Sequence, residues 1–216
     1  MIENVRRFPK AAIIVISVYY LVGIIGLTQD ITFNLFKALV PFTLLCSVYF
    51  LWLFHENPDT RAYLSFLAIF ILGFAIEAAG VNTGVIFGHY AYGRTLGLKL
   101  LETPIIIGIN WLILIYSVWV LTGKFIHGKW LQYFVSALFM VLYDFVLEPV
   151  AIRLDMWQWE GEVVPIQNYI AWFAISFIFL MILDLTIKQI RNKIATALFI
   201  VQFLFFTALN IIYKFI

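Results

Sequence analysis

The chain has 216 residues, of which 64% are hydrophobic and only 12% charged, where a soluble domain carries roughly 25% charged residues. Its mean hydropathy is +1.00, and its net charge of +2 is too small to indicate a nucleic-acid partner. These values exclude an ordinary soluble domain. Apolar runs of the length a span needs, about 20 residues, recur throughout and leave no stretch over for one. The expected fold is an all-α, polytopic transmembrane helical bundle, a single integral membrane domain over 1–216.

In chain order, Arg6, Arg7 and Lys10 precede the first apolar run. That run is long and lacks a small-x-small cleavage site, so it reads as a retained span rather than a signal peptide. Spans are predicted at about 11–28, 34–54, 62–79, 103–122, 131–150, 168–187 and 194–214, about seven in all. Asn57-Pro58-Asp59 closes the second. Lys124 to Lys129 separates the fourth and fifth, and Lys188, Arg191 and Lys193 separate the sixth and seventh. The single cysteine, Cys46, lies inside an apolar run with no ligand partner nearby.

Lys and Arg gather on cytoplasmic loops. This topology puts Arg6, Arg7, Lys10, Arg61, Lys124, Lys129, Lys188, Arg191 and Lys193 on one side. The smaller set, Lys37, Arg94, Lys99, Arg153 and Lys214, falls on the other. The N-terminus is therefore expected in the cytoplasm, in a multi-pass protein of the cell membrane. Two long connections, about 80–102 and 151–167, lie on the outer face and are rich in Gly, Pro and aromatic residues.

A weak internal repeat links them. Glu77 is followed thirteen and fifteen residues later by Tyr90 and Tyr92, and Asp144 at the same offsets by Trp157 and Trp159. Each loop then reaches a proline, Pro104 or Pro165, with a tryptophan seven residues on, Trp111 or Trp172. The units start two spans apart, which suits a parallel repeat, whose interface is a usual place for a membrane site. Coincidence in an aromatic-rich chain is the alternative.

Three carboxylates, Glu77, Asp144 and Glu148, fall in or at the end of spans. A charge at the bilayer centre costs at least ~2.5–3.5 kcal/mol, so such residues are usually retained for function. Asp144 and Glu148 are four apart and share one helix face. Counting back from position 150, Asp144 lies roughly 9 Å below the helix end. Glu77 is expected about two residues from the end of its own span, so all three are expected at similar depth near the outer face. An embedded pair of acids can hold one neutral member beside an ionised one, which is the arrangement acid–base chemistry needs. The plain alternative is an ion pair or an interhelical hydrogen bond, for instance with Arg94 or Arg153. Phe87, Tyr90, Tyr92, Trp111, Trp157, Trp159 and Trp172 flank the loops. They read either as an interfacial belt or as the walls of an apolar pocket whose ring faces stabilise a cation.

Other chemistry finds little support. His55, His89 and His127 lie in three different loops without ligand spacing; His89 beside the aromatic loop reads as a loop histidine or a proton relay. Gly80, Gly84 and Gly88 form a small-xxx-small series, which suggests close helix packing. Phosphate-loop, dinucleotide and Gly-x-Ser-x-Gly motifs are absent.

The run Glu77-Ala78-Ala79-Gly80-Val81-Asn82-Thr83-Gly84-Val85-Ile86-Phe87-Gly88-His89-Tyr90-Ala91-Tyr92 resembles a known family pattern. So does Asp144-Phe145-Val146-Leu147-Glu148-Pro149, followed by Trp157-Gln158-Trp159 and Pro165-Ile166-Gln167-Asn168-Tyr169-Ile170-Ala171-Trp172. Over about residues 70–175 the chain resembles the carotenoid biosynthesis protein family that contains the CruF-type carotenoid hydratases. The resemblance implies addition of water to the end double bond of an acyclic carotenoid, giving a tertiary alcohol, with no organic cofactor or metal. Asp144 is then expected as the acid, with Glu148 or Glu77 deprotonating the incoming water. Trp157, Trp159, Tyr90 and Tyr92 would stabilise the cation, and Asn82, Thr83 and Asn168 would hold the water. The implied partners are the lipid bilayer, a long apolar carotenoid and other enzymes of the pathway. A small polytopic carotenoid cyclase, a transporter and a non-catalytic pathway scaffold are the competing readings.

Overall fold

Without water, a chain must satisfy its backbone hydrogen bonds internally, so apolar runs of this length become helices. The computed structural model describes residues 6–56, 59–187 and 190–215. Asn57, Pro58 and Lys188, used above as span boundaries, lie outside the described residues. The helices are α1 (Pro9–Thr28), α2 (Asp30–Ala38), α3 (Val40–Phe54), α4 (Thr60–Thr83), α5 (Ile106–Thr122), α6 (Lys129–Arg153), α7 (Ile166–Thr186) and α8 (Ala195–Ile212). Of these, α1, α4, α6, α7 and α8 are each long and apolar enough to cross a membrane. The protein is the expected all-α polytopic bundle.

Two of the expected spans change. The second is not one rod over 34–54: α2 and α3 form a single candidate span bent by 53°. Pro41 sits in the first turn of α3; its missing N–H and its ring oppose a continuous helix through Lys37. The fourth starts at Ile106 rather than 103, because Thr103–Pro104 forms a short strand, β3, against β2 (Lys99–Leu100). The resulting α5 is a shorter apolar helix of 17 residues. It packs against α3, α4, α6, α7 and α8 and buries Trp111, Ile113, Leu114, Ile115 and Val118 completely. A helix apolar all round belongs in a core, and α5 is the pillar around which the others stand.

Polar groups close one end of the bundle. Arg6 Nε donates to the Leu53 carbonyl at 2.5 Å. Lys129 Nζ bonds Asp184 at 2.7 Å, and Lys193 pairs with Glu56 at 3.4 Å. His55 is buried there, its Nδ1 2.7 Å from the Tyr116 hydroxyl. Burial pushes its pKa down, and the nearby Arg6 charge adds to that. This histidine clasps α3 to α5.

At the other end the helices run farther than hydropathy suggests. α4 continues to Thr83 and α6 passes through Pro149 to Arg153. Glu77 and Asp144 therefore lie about 9 Å and 13 Å from their helix ends at 1.5 Å per residue, deeper than the sequence implies. The two long connections are also more than loops. β1 (Tyr90–Tyr92) pairs antiparallel with β4 (Trp157–Trp159). Gly93 N–H to the Met156 carbonyl, 2.9 Å, and Glu160 N–H to the His89 carbonyl, 2.9 Å, extend the seam on either side.

Candidate active site

The paired strands explain the aromatic spacing. Alternate side chains of a strand point to the same face, so Tyr90 and Tyr92 project together, as do Trp157 and Trp159. Tyr90 lies opposite Trp159 and Tyr92 opposite Trp157, with ring centroids 5.0 Å and 6.1 Å apart. Such a register is what a local two-fold between the two sequence units produces. The tryptophans seven residues past each proline obey it too: Trp111 and Trp172 stack at 4.4 Å.

Hydrogen bonds depart from that symmetry. Tyr90 and Tyr92 hydroxyls both donate to Glu77 Oε2, at 2.7 Å and 2.6 Å, and Trp111 Nε1 donates to Glu77 Oε1 at 2.9 Å. Trp157 and Trp159 donate to Glu148 Oε2, each at 2.9 Å. The repeat offset pairs them with Asp144, yet it is Glu148, one turn further on, that takes their N–H groups. Asp144 instead accepts from Asn168 Nδ2 at 2.7 Å through Oδ2, while its buried Oδ1 has no partner among the described residues. Burial pushes the Tyr90 and Tyr92 phenols well above their ordinary pKa, and the Glu77 charge adds to it. Both therefore stay protonated as donors.

Glu77, Asp144 and Glu148 are 5%, 1% and 3% exposed, and all three line one small cavity of about 20 Å³. The expected aromatics Phe87, Tyr90, Tyr92, Trp157, Trp159 and Trp172 line it as well, with Asn168. Trp111 stands behind this wall, holding Glu77 and stacked on Trp172. Among the described residues no ion pair reaches the carboxylates. Arg153, a candidate partner in the sequence, lies over the Tyr213 ring at 4.2 Å.

Asn82 and Thr83 are not part of this cavity. Both are exposed and bond backbone carbonyls at the end of α4: Asn82 Nδ2 those of Ala78 and Leu101, Thr83 Oγ1 that of Ala79. A short polar side chain on a helix back-bonds readily to the carbonyl one turn earlier, four residues before it. Ile107 and Asn110 line the cavity instead. Asn110 precedes Trp111 directly, and that adjacency was its only signal in the sequence. His89 is exposed beside the site.

The glycine series serves the loop, not helix–helix packing. A Cβ on Gly80 would stand 2.5 Å from the Phe87 ring, so its absence seats that ring. Gly84 ends α4 at φ +67°, and Gly88 has φ +103° with Pro165 where a Cβ would go, at 2.6 Å. Gly88→Ala is expected to cost about 1–3 kcal/mol through backbone strain and collision. Thermal unfolding of the detergent-solubilised protein measures it.

The model of the family described as carotenoid biosynthesis protein matches residues 35–216. The chain is also similar to a bisanhydrobacterioruberin hydratase of Haloarcula japonica, 28% identical over 134 residues. That match covers 58% of this chain and 46% of the relative, so it spans about half the relative's length. No solved structure matches. The paired aromatic strands and the three embedded carboxylates fall inside the matched region, and this chain belongs to the carotenoid biosynthesis protein family.

Proposed function

We propose that this chain is a carotenoid hydratase, adding water across the terminal double bond of an acyclic carotenoid within the cell membrane. The observation that carries the reading is the single cavity faced by Glu77, Asp144 and Glu148 and walled by aromatic rings. The family and the named activity of the Haloarcula protein support it.

Asp144 acts as the acid. An ionised carboxylate buried with one donor and no cation is costly. A neutral carboxyl accepting from Asn168 at Oδ2, with its proton on the unpartnered Oδ1, avoids that cost. The alkene's π electrons take this proton at the less substituted carbon, leaving positive charge on the tertiary carbon. The faces of Tyr90, Tyr92, Trp157 and Trp159 stabilise that charge, and the carboxylates of Glu77 and Glu148 do so electrostatically. A water needs roughly 10–15 Å³ of room by this measure, and the cavity of about 20 Å³ provides it. Asn110 and Asn168, which line the cavity, can orient the water. Its oxygen bonds to the cation, and Glu148 takes the released proton at Oε1, since both indoles occupy Oε2. Return of that proton to Asp144 closes the cycle. The net change is one H and one OH added, with no change in oxidation level.

Expression in a host that accumulates an acyclic carotenoid such as lycopene tests the reading. The expected product is heavier by one water. An isomer of unchanged mass would assign a cyclase. Unaltered pigment with gradient-dependent uptake would assign a transporter. Pigment chemistry that survives removal of all three carboxylates would assign a scaffold.

A further inference from the structure

The carboxylate cavity, about 20 Å³, has room for about one water but not for a long hydrocarbon. A second cavity of about 110 Å³ adjoins it. Ile107, Asn110 and Trp157 line both and form the partition between them. The contact continues along α6. Tyr143 and Leu147 face the large cavity, while the next residues, Asp144 and Glu148, face the small one. Two stripes of one helix, each at a four-residue spacing, thus serve adjacent chambers.

The walls of the large cavity come chiefly from apolar side chains of α1, α3, α6 and α8. The bend at Leu39 turns α2 away from the line of α3, and Gly23 leaves α1 without a side chain opposite Phe205. At one side Tyr19, Val22 and Leu39 belong both to the cavity lining and to the exposed apolar surface, at 36%, 46% and 38% exposure. In a bilayer such surface faces acyl chains, so this side is a mouth toward lipid.

We infer that this cavity seats the hydrocarbon chain of the carotenoid, which enters sideways between α1 and the α2–α3 bend and presents its terminal alkene at the Ile107–Asn110–Trp157 partition. The inference rests on the hydratase reading above. A rigid apolar polyene dissolves in the bilayer rather than in water, so a lateral path spares it transfer through water. Water must reach the cation from the polar chamber on the other side of the partition, which keeps the two reactants apart until protonation.

The test uses Val22→Trp at the mouth and Leu44→Trp in the cavity wall, with Leu21→Trp as control. Leu21 is exposed on the same helix but does not line the cavity. Each full-length variant is expressed in the lycopene-making host, and water adduct is measured per membrane-bound protein. Both cavity variants are expected to lose roughly tenfold or more, the scale of overpacking a filled site. The control is expected to stay within about twofold of wild type, as a lipid-facing exchange outside the site does. Val22 is half-exposed, so its variant also tests the idea should Leu44→Trp fail to fold. Wild-type activity with every cavity variant that folds unimpaired, Val22→Trp alone included, would overturn the inference and leave the hydratase reading standing. A wild-type protein that forms no adduct would overturn that reading first.

Discussion

Asp144→Asn is expected to lower formation of the water adduct by about 10²–10⁴-fold, the range general acid–base help contributes. The exchange is nearly isosteric. Asn168 Nδ2 can still donate to the introduced carbonyl oxygen, as it now does to Oδ2 at 2.7 Å. Stability and membrane content should therefore stay near wild type. An amide, however, holds no proton acidic enough for an alkene. Activity is read as hydrated product per membrane-bound protein, with thermal unfolding in detergent alongside. A folded variant that hydrates at the wild-type rate would remove Asp144 as the acid. Loss of activity together with collapse of the fold would assign Asp144 a structural role. The cation-stabilising rings are left in place, so the measurement isolates the proton.

Much of this architecture was legible in the apolar runs, because charge and turn residues interrupt them. Helix ends were less so. Hydropathy falls at Glu77 and again near Pro149, as it does where a helix leaves lipid. Here it falls because polar residues face an internal cavity, while α4 and α6 continue to Thr83 and Arg153. A one-dimensional scale cannot separate those cases. The convergence of Glu77, Asp144 and Glu148 was legible from depth, since it needs only helix rise and the four-residue spacing. The seam between Tyr90–Tyr92 and Trp157–Trp159 was not. The alternating aromatics were visible, but pairing across so long a separation is set by how α4 and α6 place the two loops. The same limit explains the switch from Asp144 to Glu148 as the acceptor of the indole N–H groups. An offset along the chain counts residues, whereas a hydrogen bond depends on which helix face meets the strand. Asn82 and Thr83 illustrate the reverse error, since motif position could not reveal that backbone carbonyls already occupy them.

Glu77 and Glu148 are both candidates for the base, and their bonding separates them. Glu77 accepts three donors over its two oxygens: two phenols and an indole. Bonds to an ionised acceptor are roughly twice as strong as neutral ones, so these three hold β1 and α5 to α4. Glu77→Gln replaces one acceptor oxygen by an NH₂ group. The amide can face its oxygen to Trp111, whose N–H only donates, and its NH₂ to the phenols, which can turn to accept. All three bonds survive as neutral ones, at a loss of about 1 kcal/mol each. The expected result is about 3 kcal/mol of stability, a fall in unfolding temperature of roughly 6–12 °C for a chain of this size. Activity falls with it as the aromatic wall loosens. Glu148→Gln keeps a carbonyl acceptor for Trp157 and Trp159, so the same accounting over two bonds costs about 2 kcal/mol, a smaller fall of roughly 4–8 °C, while the rate falls by about 10²-fold or more. Thermal unfolding and product formation, measured on both variants, distinguish the roles. If instead Glu77→Gln is inactive at unchanged stability and Glu148→Gln stays active, the base is Glu77. The water would then approach from the tyrosine side of the cavity.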